Sequence, residues 1–141
     1  MAVAAEKSAR DFYTSLSEKF PDHAALFEQL AKDEKNHVET FTRLLSRPEV
    51  YSTEEERIQA DYNIQVLEDS KIIGNLRKGA DRARGISDLK SAIEAAVQLE
   101  KDTALFYSNM AMGLGSEDRQ EVYKIMHVEY AHLYKVRHII L

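Results

Sequence analysis

One pattern occurs twice in this chain, and the repetition limits what the chain can fold into. "VAAEKSARDFY" (residues 3–13) aligns with "VQLEKDTALFY" (97–107) at an offset of 94. The identities are Val3/Val97, Glu6/Glu100, Lys7/Lys101, Phe12/Phe106 and Tyr13/Tyr107. Downstream, "DEKNH" (33–37) aligns with "VEYAH" (128–132) at an offset of 95. Each copy has the same order: a Glu, a Phe-Tyr pair, a turn, then Glu-x-x-His. Each half reads as a helical hairpin. Two such hairpins, packed with approximate two-fold symmetry, make a four-helix bundle.

The punctuation of the sequence agrees. Two prolines and five glycines in 141 residues suggest long helices. Apolar spacing predicts a first helix over about 2–19, with Val3, Ala9, Phe12, Tyr13 and Leu16 near one face. Pro21 is placed to open a second helix over about 21–46, with Ala24, Phe27, Leu30, Ala31, Val38, Phe41, Leu44 and Leu45 as its stripe. A third helix is expected over about 86–112, opened by Ser87 or Asp88 as cap. Its apolar positions include Leu89, Ile93, Ala96, Leu99, Phe106 and Met110. Ser116 reads as the cap of a last helix over about 117–139, carrying Val122, Ile125, Met126, Leu133 and Val136. The stretch 47–85 is too long for a structureless link, so it is expected to hold one or two short helices crossing the bundle. Within it, Tyr62 is a candidate to cover the core, and "RKGADRARG" reads as a solvated tether. The fold class is all-α, and residues 1–141 fit a single domain.

Residues three apart share a helix face. Glu34 and His37 can therefore point together into the bundle, as can Glu129 and His132. A single Glu-x-x-His is a weak signal, and alone it describes a packing or surface histidine. Its recurrence at corresponding repeat positions is stronger, and Glu6 and Glu100 each add a carboxylate from a facing helix. Four carboxylates and two imidazoles can be balanced by two divalent ions. Without metal, four converging buried carboxylates are very unfavourable and some must take up protons. The bland rival is a decayed duplicate that keeps these polar residues without metal. Tyr13 and Tyr107 each follow their Glu by seven residues, about two turns, so each hydroxyl can reach a ligating carboxylate across the bundle. His23, His127 and His138 read as surface or packing residues, and Glu94 points away from the site. Asp33, Lys35, Asn36 and Glu39 read as water-facing charge and polarity, with Tyr130 and Tyr134 on a packed or intersubunit face.

Composition narrows the chemistry. No cysteine is present, which removes thiolate nucleophiles, iron–sulfur clusters and Cys-ligated zinc or iron. A metal must then be held by Glu, Asp and His, a set that favours iron, manganese or zinc. The formal net charge of −5 argues against non-specific binding to nucleic acid or an anionic membrane. No apolar run is long enough to span a bilayer, and the N-terminus lacks the apolar core of a signal peptide, so a cytoplasmic location is expected.

With "AAEKSARDFY", "DEKNH", "QLEKDTALFY" and "VEYAH" in this order, the chain resembles the ferritin-like superfamily, nearest to the rubrerythrin group. The resemblance implies a ferritin-like bundle of two antiparallel hairpins joined by a long crossover. It implies a di-iron centre held by Glu6, Glu34, His37, Glu100, Glu129 and His132, with Tyr13 and Tyr107 as supporting tyrosines. It also implies reduction of hydrogen peroxide, or oxidation of ferrous iron by oxygen or peroxide. Three departures qualify it. Thr103 stands where the group typically has a further carboxylate, so the site looks more symmetric. No Cys-rich electron-transfer domain is present, so electrons come from ferrous iron or from a separate donor protein. Glu6 lies about one turn from the start of the sequence and needs support from packing or from another subunit. Alternatives are manganese-dependent disproportionation of peroxide and a non-catalytic helical metal-binding or interaction module. A homodimer is the plain expectation for assembly.

Overall fold

The computed structural model describes residues 2–45, 53–69, 78–112 and 114–139. Among them the structure is all-helical. Four long helices, α1 (Ala2–Lys19), α2 (Ala24–Leu45), α5 (Leu89–Ala111) and α6 (Ser116–Arg137), form two hairpins, α1–α2 and α5–α6. Between the hairpins run α3 (Glu54–Asp69) and the short α4 (Gly79–Arg84).

The turns follow from local chemistry. Pro21 opens a 3-10 turn, Pro21–His23, from which α2 departs. Asp88 caps α5, its Oδ1 accepting from the Ser91 amide at 2.8 Å. Ser116 behaves otherwise than expected. It is the first residue of α6, and the cap position belongs to Gly115, which offers no side-chain bond. Glu117 and Asp118 in the first turn of α6 favour its positive end instead. Arg119 closes the hairpin by donating to the carbonyl of Ala111, the last residue of α5, at 3.2 Å and to that of Leu114 in the following turn at 2.8 Å.

The core is one continuous cluster. Ala5, Ala9, Phe12, Tyr13 and Leu16 from α1 meet Phe27, Leu30 and Phe41 from α2, with Ala96, Leu99, Phe106, Tyr107 and Met110 from α5 and Val122, Ile125 and Val136 from α6. Each repeat tyrosine stacks on a phenylalanine of α2. Tyr13 and Phe27 have ring centroids 6.4 Å apart, Tyr107 and Phe41 4.8 Å. Leu44, Val66, Leu67, Ile72 and Pro48 lie outside the residues or side chains described.

The crossover corrects two expectations. Tyr62 does not cover the core but is 67% exposed, because α3 turns its Ile58–Tyr62 face to solvent. The segment around "GADRAR" is more than a solvated tether. Its small residues let α4 lie directly on α1: the Gly79 amide donates to Ser8 Oγ at 2.6 Å, and Ala83 is fully buried. Lys19 completes the contact by donating to the carbonyls of Ala83 (2.7 Å), Arg84 (3.0 Å) and Ile86 at the end of α4. The charged residues Asp81 and Arg84 face outward and pair with each other. Within the chain, α1, which carries Glu6, is flanked by α2 and α4.

Candidate metal centre

Midway along the bundle the apolar packing is interrupted by six buried polar side chains, one or two from each long helix: Glu6, Glu34, His37, Glu100, Glu129 and His132. All six were expected from the repeat. They form two overlapping groups. Glu6, Glu34, His37 and Glu129 offer ligand atoms within 4.8 Å of one another, and so do Glu34, Glu100, Glu129 and His132. Glu34 and Glu129 belong to both groups, while each group has its own Glu and its own His.

The imidazoles enter in the same way. His37 Nδ1 lies 3.4 Å from Glu6, 3.3 Å from Glu34 and 2.9 Å from Glu129. His132 Nδ1 lies 3.3 Å from Glu34, 3.5 Å from Glu100 and 3.6 Å from Glu129. Although His37 Nδ1 and Glu129 Oε1 are close, the oxygen is not aligned to accept a hydrogen bond. Glu6 Oε2, Glu100 Oε2, both oxygens of Glu129 and His132 Nδ1 are buried without a hydrogen-bond partner. Burying so many unpaired polar atoms is strongly unfavourable unless a cation meets them. Glu and His atoms are the ligands that first-row divalent ions accept, and four carboxylates match two such ions in charge.

The tyrosines do what their spacing suggested. Tyr13 on α1 donates to Glu100 on α5, and Tyr107 on α5 donates to Glu6 on α1. Burial, then the facing carboxylates, raise both phenol pKa values well above the ordinary value, so the hydroxyls remain donors. Thr103 is buried, but its hydroxyl donates to Leu99 O of its own helix at 2.8 Å and brings no charge to the site.

Protonation shows what the cluster does when protons alone balance it. Burial, then Glu129, raise the Glu34 pKa, and the same two causes raise that of Glu100. Burial would lower the pKa of His37, but Glu129, Glu34 and Glu6 outweigh it and push the value up to about 12. His132 is raised likewise by Glu100, Glu129 and Glu34 against burial. Glu129 is held low despite burial by contacts with Glu100, His132 and His37. The group as a whole shares out protons where cations fit.

One polar partner was missed. Asp33, read as water-facing, is half-buried, and its Oδ2 lies 2.9 Å from His132 Nε2. Its one sequence signal was a break in the repeat, where an acid on α2 faces Val128 in the aligned position. His127 and Glu94 are exposed, and His138 caps the end of α6 through Tyr134 O at 2.7 Å.

A helical bundle of two repeated hairpins around a buried Glu/His cluster with two candidate cation groups is the arrangement of a ferritin-like protein. The rubrerythrin family profile matches residues 1–140, and the chain belongs to the rubrerythrin family. Comparisons with curated proteins and with solved structures returned no match. Among the described residues no helix is long and apolar enough to cross a membrane.

Proposed function

We propose that the chain is a di-iron oxidoreductase that reduces hydrogen peroxide, oxidises ferrous iron, or couples the two, with Glu6, Glu34, His37, Glu100, Glu129 and His132 as ligands. The observation that carries this reading is the pair of four-residue groups sharing Glu34 and Glu129. Two ferrous ions held there would supply one electron each, the pair needed, with two protons, to reduce hydrogen peroxide to two water molecules. The chain's own residues set the conditions. Glu34 and Glu129, common to both groups, would be the residues that serve both ions. Glu6 with His37, and Glu100 with His132, complete one position each. Tyr107 and Tyr13 hold Glu6 and Glu100 in orientation by donating to them from across the bundle. Phe27, Leu30 and Phe41 belong to the apolar packing on α2 that keeps bulk water away. A cavity of about 270 Å³ beside His37 admits a molecule as small as hydrogen peroxide.

The test is anaerobic loading with ferrous iron, followed by separate pulses of peroxide and oxygen with absorbance detection. The expected result is two irons bound per chain and two oxidised per peroxide, faster than free ferrous iron. A folded protein that binds no iron or manganese under these conditions overturns the reading. Oxygen evolution from peroxide by manganese-loaded protein identifies the disproportionation alternative. Partner binding that survives Glu34→Ala identifies the non-catalytic module. Re-reduction by a separate donor protein marks a peroxidase, and release of ferric iron marks a storage or detoxification ferroxidase. The reading includes a homodimer, which sedimentation equilibrium checks directly.

A further inference from the structure

The repeat makes the six candidate ligands nearly symmetric, and Asp33 breaks that symmetry. Its Oδ2 is 2.9 Å from His132 Nε2, and its Oδ1 accepts from Gln29 Nε2 at 2.9 Å. Both oxygens are therefore engaged. When His132 donates Nε2–H to Asp33, its tautomer and ring orientation are fixed, and the Nδ1 lone pair is left for the cluster. That Nδ1 is the buried atom without a hydrogen-bond partner.

His37 has no such support. Its contacts with the cluster also run through Nδ1, and among the described residues Nε2 has no hydrogen-bond partner. The residue aligned with Asp33 in the other repeat is Val128. Val128 lines the cavity beside His37, which Asp33 also borders together with Asn36, Thr40, Glu121 and Lys124. By the repeat, an isopropyl group occupies the sequence position that carries the Asp33 carboxylate in the other half. His37 also has 7% of its side chain exposed, against 1% for His132.

We infer that Asp33 makes the two cation positions unequal: the position at His132 is tight, and the position at His37 is weaker and exchanges with solvent through the adjoining cavity. Asp33 is a positioning residue, acting through the imidazole it orients. The inference rests on the dinuclear reading above and adds an order of affinity to it. An outer-shell partner of a ligating histidine typically changes metal affinity by about 10–100-fold. One position with such a partner and one without should differ by that factor.

The experiment is an anaerobic titration of the full-length, metal-free protein with Co(II), followed by calorimetry and by the cobalt visible spectrum. Wild type should bind two ions in two steps separated by roughly 10–100-fold. His37→Gln should remove the weaker step and spare the tighter one. Asp33→Val should weaken the tighter step towards the other and leave the weaker unchanged. Val128→Asp should strengthen the weaker step, and it decides the matter if Asp33→Val fails to fold. Two ions bound in one unresolved step overturn the inference. So does an unchanged pair of steps in Asp33→Val or, where that variant does not fold, in Val128→Asp. Either result leaves the dinuclear reading standing, whereas wild-type protein that takes up fewer than two ions overturns that reading and the inference with it.

Discussion

At the scale of single residues, the candidate ligands divide by how many neighbours they serve. Glu34 and Glu129 face both histidines and belong to both groups, while Glu6 and Glu100 belong to one each. Removing a shared carboxylate should therefore disable both positions. Glu34→Ala is expected to abolish uptake of both ions, whereas Glu6→Ala should lose one and keep the other. Elemental analysis of protein reloaded with metal and then desalted separates these outcomes, and equal loss in both variants counts against a bridging role for Glu34. The tyrosines act at one remove. Tyr13→Phe leaves Glu100 without its phenol donor while the ring still packs on Phe27. Metal affinity should fall about tenfold or more, with little change in the melting of the metal-free protein. A large loss of metal-free stability with unchanged affinity would instead mark Tyr13 as a packing residue. Most of this site could be read in the sequence, because the repeat doubled every signal. Asp33 could not, because its partner His132 lies 99 positions away and its neighbours on α2 are charged.

At the scale of elements, the short helix α4 matters more than its length suggests. It lies along α1, the helix that brings Glu6 to the cluster, and the contact is closest at Gly79. A β-carbon there would sit 1.9 Å from the Ser8 carbonyl oxygen, a backbone atom that cannot move aside cheaply. Gly79→Ala must therefore push α4 away from α1. Overpacking of this kind costs about 1–3 kcal/mol, and a drop in melting temperature of several degrees is expected for a domain of this size. The weakened position should be the one Glu6 serves, so the thermal shift should come with reduced metal uptake at one position only. Unchanged melting and uptake would show that α4 merely rests on α1. Here the four long helices were legible from apolar spacing and breakers, and the return of the crossover was not. Arg82, Arg84 and Lys78 gave "RKGADRARG" a solvated look, while the informative residues were the small ones, Gly79 and Ala83, one turn apart on the docking face. Tyr62 misled in the opposite direction. An aromatic ring suggests burial, yet on a helix lying outside the four-helix packing it is left exposed.

At the scale of the whole molecule, the dinuclear reading has the cluster tie folding to metal and to protons together. Metal-free protein balances its carboxylates with protons: on Glu34 and Glu100, whose pKa values are raised, and on both histidines, with His37 pushed up to about 12. A group whose folded pKa is raised gives stability that is full below its unfolded pKa and fades as pH rises towards the folded value. Glu34, Glu100 and the histidines all have this sign. The depressed Glu129 has the opposite one, and its contribution is already complete well below neutral pH. Metal-free protein should therefore lose stability as pH rises from mildly acidic to mildly alkaline. Metal binding runs the other way, since the ligands must shed those protons first and affinity grows with pH. An ion that binds only the folded state adds about 2.7 kcal/mol at a hundredfold excess over Kd. The melting temperature with excess Mn(II), minus that with chelator, should accordingly be larger at about pH 8 than at about pH 6. Anaerobic thermal melts at the two pH values give that difference directly, and calorimetry in buffers of different ionisation enthalpy counts the protons released. A gap that stays constant or narrows with pH, or a binding heat independent of the buffer, would show that cations do not replace protons in this cluster.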